Sequence, residues 1–336
     1  MHPGVSEPTL NWPPRCADEI LTTAILFPGQ GAQHVGMGLE LHRASPLARA
    51  LFDRADALLG FSLTSLCFEG PEAELRRTEN AQPALFTVGA VASTLLRERG
   101  VSADVAAGHS VGEYAALLTA GALTFEAGLW AVRRRGELMA SASERSPGTM
   151  AAILGLPLDI VEEMCAAASA VGFVEVANEN GPRQTVISGE IAGVERAMEL
   201  AEQEEDGIAV PLAVSGAFHS RLMASAAEEF SEVLSAIDLR PTTIPVLCNV
   251  DAAVVRAPHE IRDALIRQIT GRVRWSGSLL ALAASGTQRL IAAGPGRTLT
   301  RMTRELLPGI EVLSADDVLA TESATPAHPP QRAAEQ

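Results

Sequence analysis

Apolar positions along the chain follow two alternating periods. Short apolar runs bounded by Gly, Pro or Asn read as buried strands at 23–27, 101–107, 150–154, 173–178, 184–188, 207–212, 244–250 and 289–293. Between them, apolar residues recur at three and four and predict helices over 45–59, 81–97, 125–141, 158–168, 191–203 and 261–270, with a further helix from 113. Thr124 is placed to cap the helix that opens at Phe125. From 150 to 212 the order is strand-helix-strand-strand-helix-strand, the ferredoxin-like order, with a hairpin turn expected at Glu179-Asn180-Gly181-Pro182.

Composition narrows the class. The 336 residues are 47% apolar but only 4% aromatic, so the core is built from Ala, Leu, Val and Ile, as in layered α/β proteins. A net charge of −15 argues against nucleic-acid and anionic-membrane partners. All 26 basic residues are arginine, which removes Schiff-base, P-loop and Ser-Lys chemistry. Cys16, Cys67, Cys165 and Cys248 are scattered without metal-ligand spacing. They are read as reduced thiols of a cytoplasmic protein; neither a metal nor another cofactor is expected.

Serine, cysteine, histidine, carboxylate and arginine chemistry remain, and Gly108-His109-Ser110-Val111-Gly112 offers the first. G-x-S-x-G between a strand and a helix is a nucleophile elbow, a tight turn that lifts a serine hydroxyl above the sheet. The Gly29-Gln30-Gly31 loop after the first strand lacks a nucleotide fingerprint and suits a backbone N–H offered to an oxyanion. In the helix at 125–141, Arg135 shares an apolar face with Gly128, Ala131, Val132, Leu138 and Met139, whereas Arg133 points to solvent beside Glu126 and Glu137. An arginine in an apolar stripe needs an anion, either a buried carboxylate of the chain or that of a substrate. Among seven histidines, His2 and His328 lie in the tails, His42 and His259 in polar surroundings and His34 beyond the Gln30 loop. His109 adjoins Ser110 on a turn that points neighbours apart. His219, late in the chain in Gly216-Ala217-Phe218-His219-Ser220, is the favoured base.

Phe27-Pro28-Gly29-Gln30-Gly31, Gly108-His109-Ser110-Val111-Gly112-Glu113-Tyr114, Arg135-Gly136, Gly216-Ala217-Phe218-His219-Ser220 and Gly294-Pro295-Gly296 occur in one order. Together they resemble malonyl-CoA:acyl carrier protein transacylases and the acyltransferase domains of polyketide synthases, over residues 23–313. The resemblance implies Ser110 as nucleophile, His219 as base, and the N–H groups of Gln30 and Val111 as oxyanion hole. It implies Arg135 as the malonyl carboxylate partner, with Phe218, His109 and Gln268 also at the substrate. The Gln268 main-chain carbonyl is expected to hold His219. Phe218 matches the malonyl pattern, its ring filling the space of a 2-methyl group. Gly216 departs from modular malonyl domains, which usually carry His there, and resembles freestanding enzymes.

The expected architecture is α/β, an α/β-hydrolase-like large domain (21–148 and 214–315) with an inserted ferredoxin-like subdomain (149–213), a mobile leader (1–20) and a disordered tail (316–336). The expected activity is ping-pong transfer of malonyl from malonyl-CoA to the phosphopantetheine thiol of a holo-acyl carrier protein, by a monomer. A thioester hydrolase, a transferase for substituted malonyl units and a non-catalytic carrier-docking module are the alternatives. Arg297, Arg301 and Arg304, on one helical face after Gly296, are candidates for carrier docking.

Overall fold

A computed structural model describes residues 23–321; the expectations for 1–22 and 322–336 lie outside the described residues. The described residues form ten strands: β1 (Thr23–Phe27), β2 (Val105–Gly108), β3 (Thr149–Leu154), β4 (Val174–Gly181), β5 (Gln184–Gly189), β6 (Ile208–Pro211), β7 (Val246–Leu247), β8 (Val254–Val255), β9 (Arg289–Ala292) and β10 (Glu311–Ser314). The first helices are α1 (Leu39–Ala44), α2 (Pro46–Leu59), α3 (Leu63–Glu69), α4 (Glu72–Arg76) and α5 (Thr78–Glu98). They are followed by α6 (Gly112–Thr119), α7 (Phe125–Arg145), α8 (Leu158–Ala168), α9 (Ile191–Ala201) and α10 (Ala224–Ser235). The last are α11 (Pro258–Thr270), α12 (Trp275–Ala284), α13 (Thr298–Leu306) and α14 (Ala315–Thr321). None of the helices among the described residues is long and apolar enough to cross a membrane.

The strands divide between two sheets. One is six-stranded, ordered β10-β9-β1-β2-β7-β8, parallel except for the final β7-β8 pair. Its central strands are buried on both faces, which is why they read as continuous apolar runs. The other is antiparallel, ordered β4-β5-β3-β6, the ferredoxin-like arrangement its element order implies. Ala151, Ile153, Val176 and Ile187 on one face of that sheet bury against Val161, Met164, Val194 and Ala197 of α8 and α9. The fold is therefore mixed α/β, a mostly parallel sheet with a separate antiparallel one.

Register brings the chemistry together. Phe27 at the end of β1 pairs with Gly108 at the end of β2, and Leu26 with Ala292 of β9. The Gln30 loop, the serine turn and the Gly294–Gly296 turn thus leave the sheet side by side at its carboxyl edge, the usual place for a ligand in an open α/β sheet. The α5–α7 contact is equally close. A Cβ on Gly128 would lie 2.4 Å from the Phe86 ring, and one on Gly136 2.7 Å from Glu79 Cα.

Three local expectations are corrected. Helix α5 starts at Thr78 rather than 81 and runs through Pro83. Proline cannot donate to the Glu79 carbonyl four residues earlier, and Arg133 of α7 donates to that oxygen instead at 2.9 Å. The hairpin turn falls at 182–183, because β4 continues to Gly181 and pairs it with Gln184 across two register shifts. Residues 316–321, expected in the tail, belong to α14, because Ala315 and Val318 bury in the main core.

Candidate active site

Ser110 stands at φ 50°, a left-handed conformation that non-glycine residues rarely adopt. The turn tolerates only glycine on either side. A Cβ on Gly108 would lie 2.0 Å from Gly112 C and O, and one on Gly112 2.3 Å from the Phe27 carbonyl oxygen. Asn249, just beyond β7, fixes the turn by accepting from Ser110 N (2.6 Å) and donating to Gly108 O (2.7 Å). Gly112 N and Glu113 N donate to His109 O and Ser110 O. The N–H groups of Val111 and Gln30 have no acceptor among the described residues, and both residues line the cavity in front of Ser110.

His219, at φ 57°, brings Nε2 to 2.7 Å from Ser110 Oγ. Its Nδ1 lies 2.8 Å from the Gln268 carbonyl oxygen, which can only accept. The proton therefore sits on Nδ1, and the Nε2 lone pair faces the serine hydroxyl. Burial, and then the nearby Arg135 charge, push His219 down to about 3, so it is neutral at working pH. His109 turns the other way and bonds Asn180 Oδ1 through Nε2 at 2.9 Å. It lines the cavity without reaching the serine hydroxyl.

Arg135 is 1% exposed. Nη1 donates to Gln82 Oε1 (2.8 Å), and Nη2 to Gln268 Oε1 (2.9 Å) and Ser110 Oγ (3.3 Å). All three acceptors are neutral, and its Nε has no partner among the described residues. Its neighbours Arg133 and Arg134 both pair with Glu137, so the carboxylate close by on α7 goes to them. The carboxylate nearest Arg135 in this network is Glu113, also 1% exposed, whose Oε2 accepts from Gln268 Nε2 (2.7 Å) and Asn249 N (3.0 Å). Burial pushes Glu113 up to about 7, against the pull of those bonds and of Arg135.

A cavity of about 230 Å³ opens over these groups, lined by Gln30, His109, Ser110, Val111, Arg135, Phe218 and His219, with Thr298, Leu299 and Met302 of α13 on its rim. Gln268 meets the site through both its carbonyl and its amide. Gly216 is bare because a Cβ there would lie 1.8 Å from Ser143 Oγ. Arg297 and Arg301 are exposed and have no partner among the described residues, while Arg304 donates to the Val312 carbonyl at 2.7 Å. Arg304 is exposed as well and keeps its charge, since the carbonyl it bonds is neutral. Sequence reasoning passed over Thr78, Gln82, Glu113 and Asn249. The available signal was polar residues at i and i+4, Thr78 and Gln82, just ahead of the apolar run of α5, and the acid directly after the serine turn.

The geometry fits acyl transfer: a nucleophile, a neutral base with a fixed tautomer, two free N–H groups and a buried cation. The family model described as "Acyl transferase domain" matches residues 25–312. The chain is 43% identical over 302 residues to the malonyl CoA-acyl carrier protein transacylase of Bacillus subtilis (strain 168), covering 90% of this chain and 95% of that protein. The solved malonyl-CoA:acyl carrier protein transacylase (FabD) of Xanthomonas oryzae pv. oryzae KACC10331 superposes with TM-score 0.87 at 38% identity, over 91% of this chain and 99% of that one. A malonyl-transacylase solved in complex with its type II PKS acyl-carrier protein (PlMCAT:AntF) gives TM-score 0.87 at 35% identity, over 90% and 98%. With most of its length matched, the chain belongs to the acyl transferase domain family.

Proposed function

We propose that this enzyme moves a malonyl group from malonyl-CoA to the phosphopantetheine thiol of a holo-acyl carrier protein, in fatty acid or polyketide synthesis. The observation that carries the reading is the buried Arg135 guanidinium, ringed by neutral acceptors, 3.3 Å from Ser110 Oγ. A carboxylate one carbon from an acyl carbonyl reaches such a cation when that carbonyl is bonded to Ser110. An acetyl group leaves the charge without an anion. The names of the relatives, malonyl CoA-acyl carrier protein transacylases that include one of polyketide biosynthesis and one held with a type II PKS acyl-carrier protein, support the same reading.

In the first half-reaction Ser110 Oγ bonds to the thioester carbonyl carbon as its proton passes to His219 Nε2. The Gln268 carbonyl steadies the resulting imidazolium through Nδ1–H, and the Gln30 and Val111 N–H groups take the developing oxyanion, each donor lowering the barrier by about 3 kcal/mol. Collapse breaks the C–S bond, and His219 returns its proton to the departing CoA sulfur. In the second half-reaction the carrier thiol gives its proton to His219 and its sulfur bonds to the acyl carbon. The C–O bond then breaks and Ser110 recovers its proton.

The test is transfer itself. With malonyl-CoA and holo-carrier protein, malonyl-carrier and free CoA should form in equal amounts, and Ser110→Ala should form neither. Release of free malonate at the rate of CoA release would replace the reading with thioester hydrolysis.

A further inference from the structure

The Arg135 side chain is connected to Gln30 by a run of hydrogen bonds through α5. Arg135 Nη1 donates to Gln82 Oε1 (2.8 Å), Gln82 Nε2 donates to Thr78 Oγ1 (2.9 Å), and Thr78 Oγ1 donates to Gln30 Oε1 (2.8 Å). The guanidinium fixes the first two directions. A guanidinium has no acceptor, so the Gln82 oxygen must face it and the Gln82 NH₂ must face Thr78. The threonine oxygen accepts from Gln82, and its hydroxyl donates to the Gln30 oxygen. The Gln30 oxygen is drawn toward α5, and its NH₂ turns away from α5.

Thr78 and Gln82 are each 1% exposed, and they sit one helical turn apart on the face of α5 that meets α7. Gly136, next to Arg135, lets the two helices close at that point, since a Cβ there would lie 2.8 Å from the Thr78 carbonyl oxygen. Gln82 Nε2 also touches Met139 Sδ, one turn further along α7, at 3.6 Å. Gln30 itself sits in a loop of two glycines, Gly29 and Gly31, the second at φ 100°. Bonds from Gly31 N to Gln33 Oε1 (2.7 Å) and from Ala32 N to Gly29 O (3.3 Å) hold the loop on either side, and the Thr78 bond is the anchor of the Gln30 side chain itself.

We propose that Thr78 and Gln82 are positioning residues that tie the oxyanion loop to Arg135, so that the group reading the carboxylate and the group receiving the oxyanion are held as one unit. The inference rests on the acyl-transfer reading above. A buried chain of polarised bonds gains strength along its length and imposes a single orientation on each amide. Thr78 touches neither substrate nor the reacting atoms; it acts through Gln30.

The experiment compares Thr78→Val, which keeps the shape and removes the hydroxyl, with Thr78→Ser, which keeps the hydroxyl. Serine acylation is followed with malonyl-CoA and, separately, with p-nitrophenyl acetate, which needs the oxyanion hole but neither CoA nor a carboxylate. For Thr78→Val, kcat should fall about tenfold with both acyl donors, the effect of a loosened oxyanion donor, while KM for malonyl-CoA stays close to wild type. Thr78→Ser should recover most of the loss. Wild-type rates in Thr78→Val, or equal losses in Thr78→Val and Thr78→Ser, would overturn the relay. Failure of the wild type to accept malonyl while p-nitrophenyl acetate still reports the Val/Ser difference would instead remove the malonyl reading and leave the relay standing.

Discussion

Arg135 Nη2 lies 3.3 Å from Ser110 Oγ, the same oxygen that His219 Nε2 meets at 2.7 Å. A permanent cation and a base therefore share one nucleophile. The cation also lowers His219, so selectivity and basicity are coupled electrostatically.

Removing the guanidinium should separate those two effects. In Arg135→Ala, kcat/KM for malonyl-CoA is expected to drop by about 30- to 1000-fold, the scale of losing a buried charge partner. Activity on acetyl-CoA should rise relative to malonyl-CoA. Rates with the two thioesters, measured side by side, decide it; an unchanged malonyl-to-acetyl ratio refutes the clamp.

The same variant has a pH signature. His219 acts as base in its neutral form, which is lost as pH falls through its folded value of about 3. It should therefore impose no acid limb on kcat/KM between pH 5 and 8 in the wild type. Burial is the larger cause of the depression and Arg135 the second. Taking Arg135 away removes a like charge, so His219 rises and its acid limb moves to higher pH. The kcat/KM profile for acetyl-CoA, in wild type and Arg135→Ala, reports the displacement; a limb that stays or moves down contradicts it.

Glu113 gives a stability signature of opposite sign. Its folded value of about 7 lies above the ordinary 4.5, so between those values the native state holds a proton that the unfolded chain has released. Its contribution to stability therefore falls as pH rises through that window. Glu113→Gln removes the dependence. Relative to wild type, the variant should gain about 2–3 kcal/mol between pH 5 and pH 8. Urea midpoints at the two pH values measure this, and a difference that does not change with pH counts against a proton on Glu113.

Carrier docking should depend on Arg297 and Arg301, which flank the α13 residues on the cavity rim and have no partners among the described residues. Charge reversal at both is expected to slow transfer to an acidic carrier protein by about tenfold or more at low salt, with the loss shrinking as salt rises. Acylation by malonyl-CoA in the absence of carrier serves as the reference. Equal effects on both half-reactions, or no salt dependence, would exclude this face.

The apolar runs marked the central strands because those strands are buried on both faces and so need no alternation. Ser110, His219 and Arg135 were legible for different reasons: a glycine pair, a process of elimination, and a charge in an apolar stripe. What was not legible depends on long-range register. Asn249 reaches Ser110 only because β7 pairs beside β2. Gln82 meets Arg135, and Thr78 reaches it through Gln82, only because α5 and α7 close over Gly128 and Gly136. A start at 81 sets Pro83 in the first turn, where its missing N–H is harmless; the helix begins a turn earlier because Arg133 occupies the carbonyl that Pro83 leaves free.

The most direct test of Ser110 as a malonyl way-station is the intact mass of the protein after brief exposure to malonyl-CoA, before and after holo-carrier protein is added. One malonyl adduct should form, map to Ser110, persist without carrier and disappear as malonyl-carrier accumulates. An adduct that never forms, forms equally on Ser110→Ala, or decays to free malonate without carrier would contradict it.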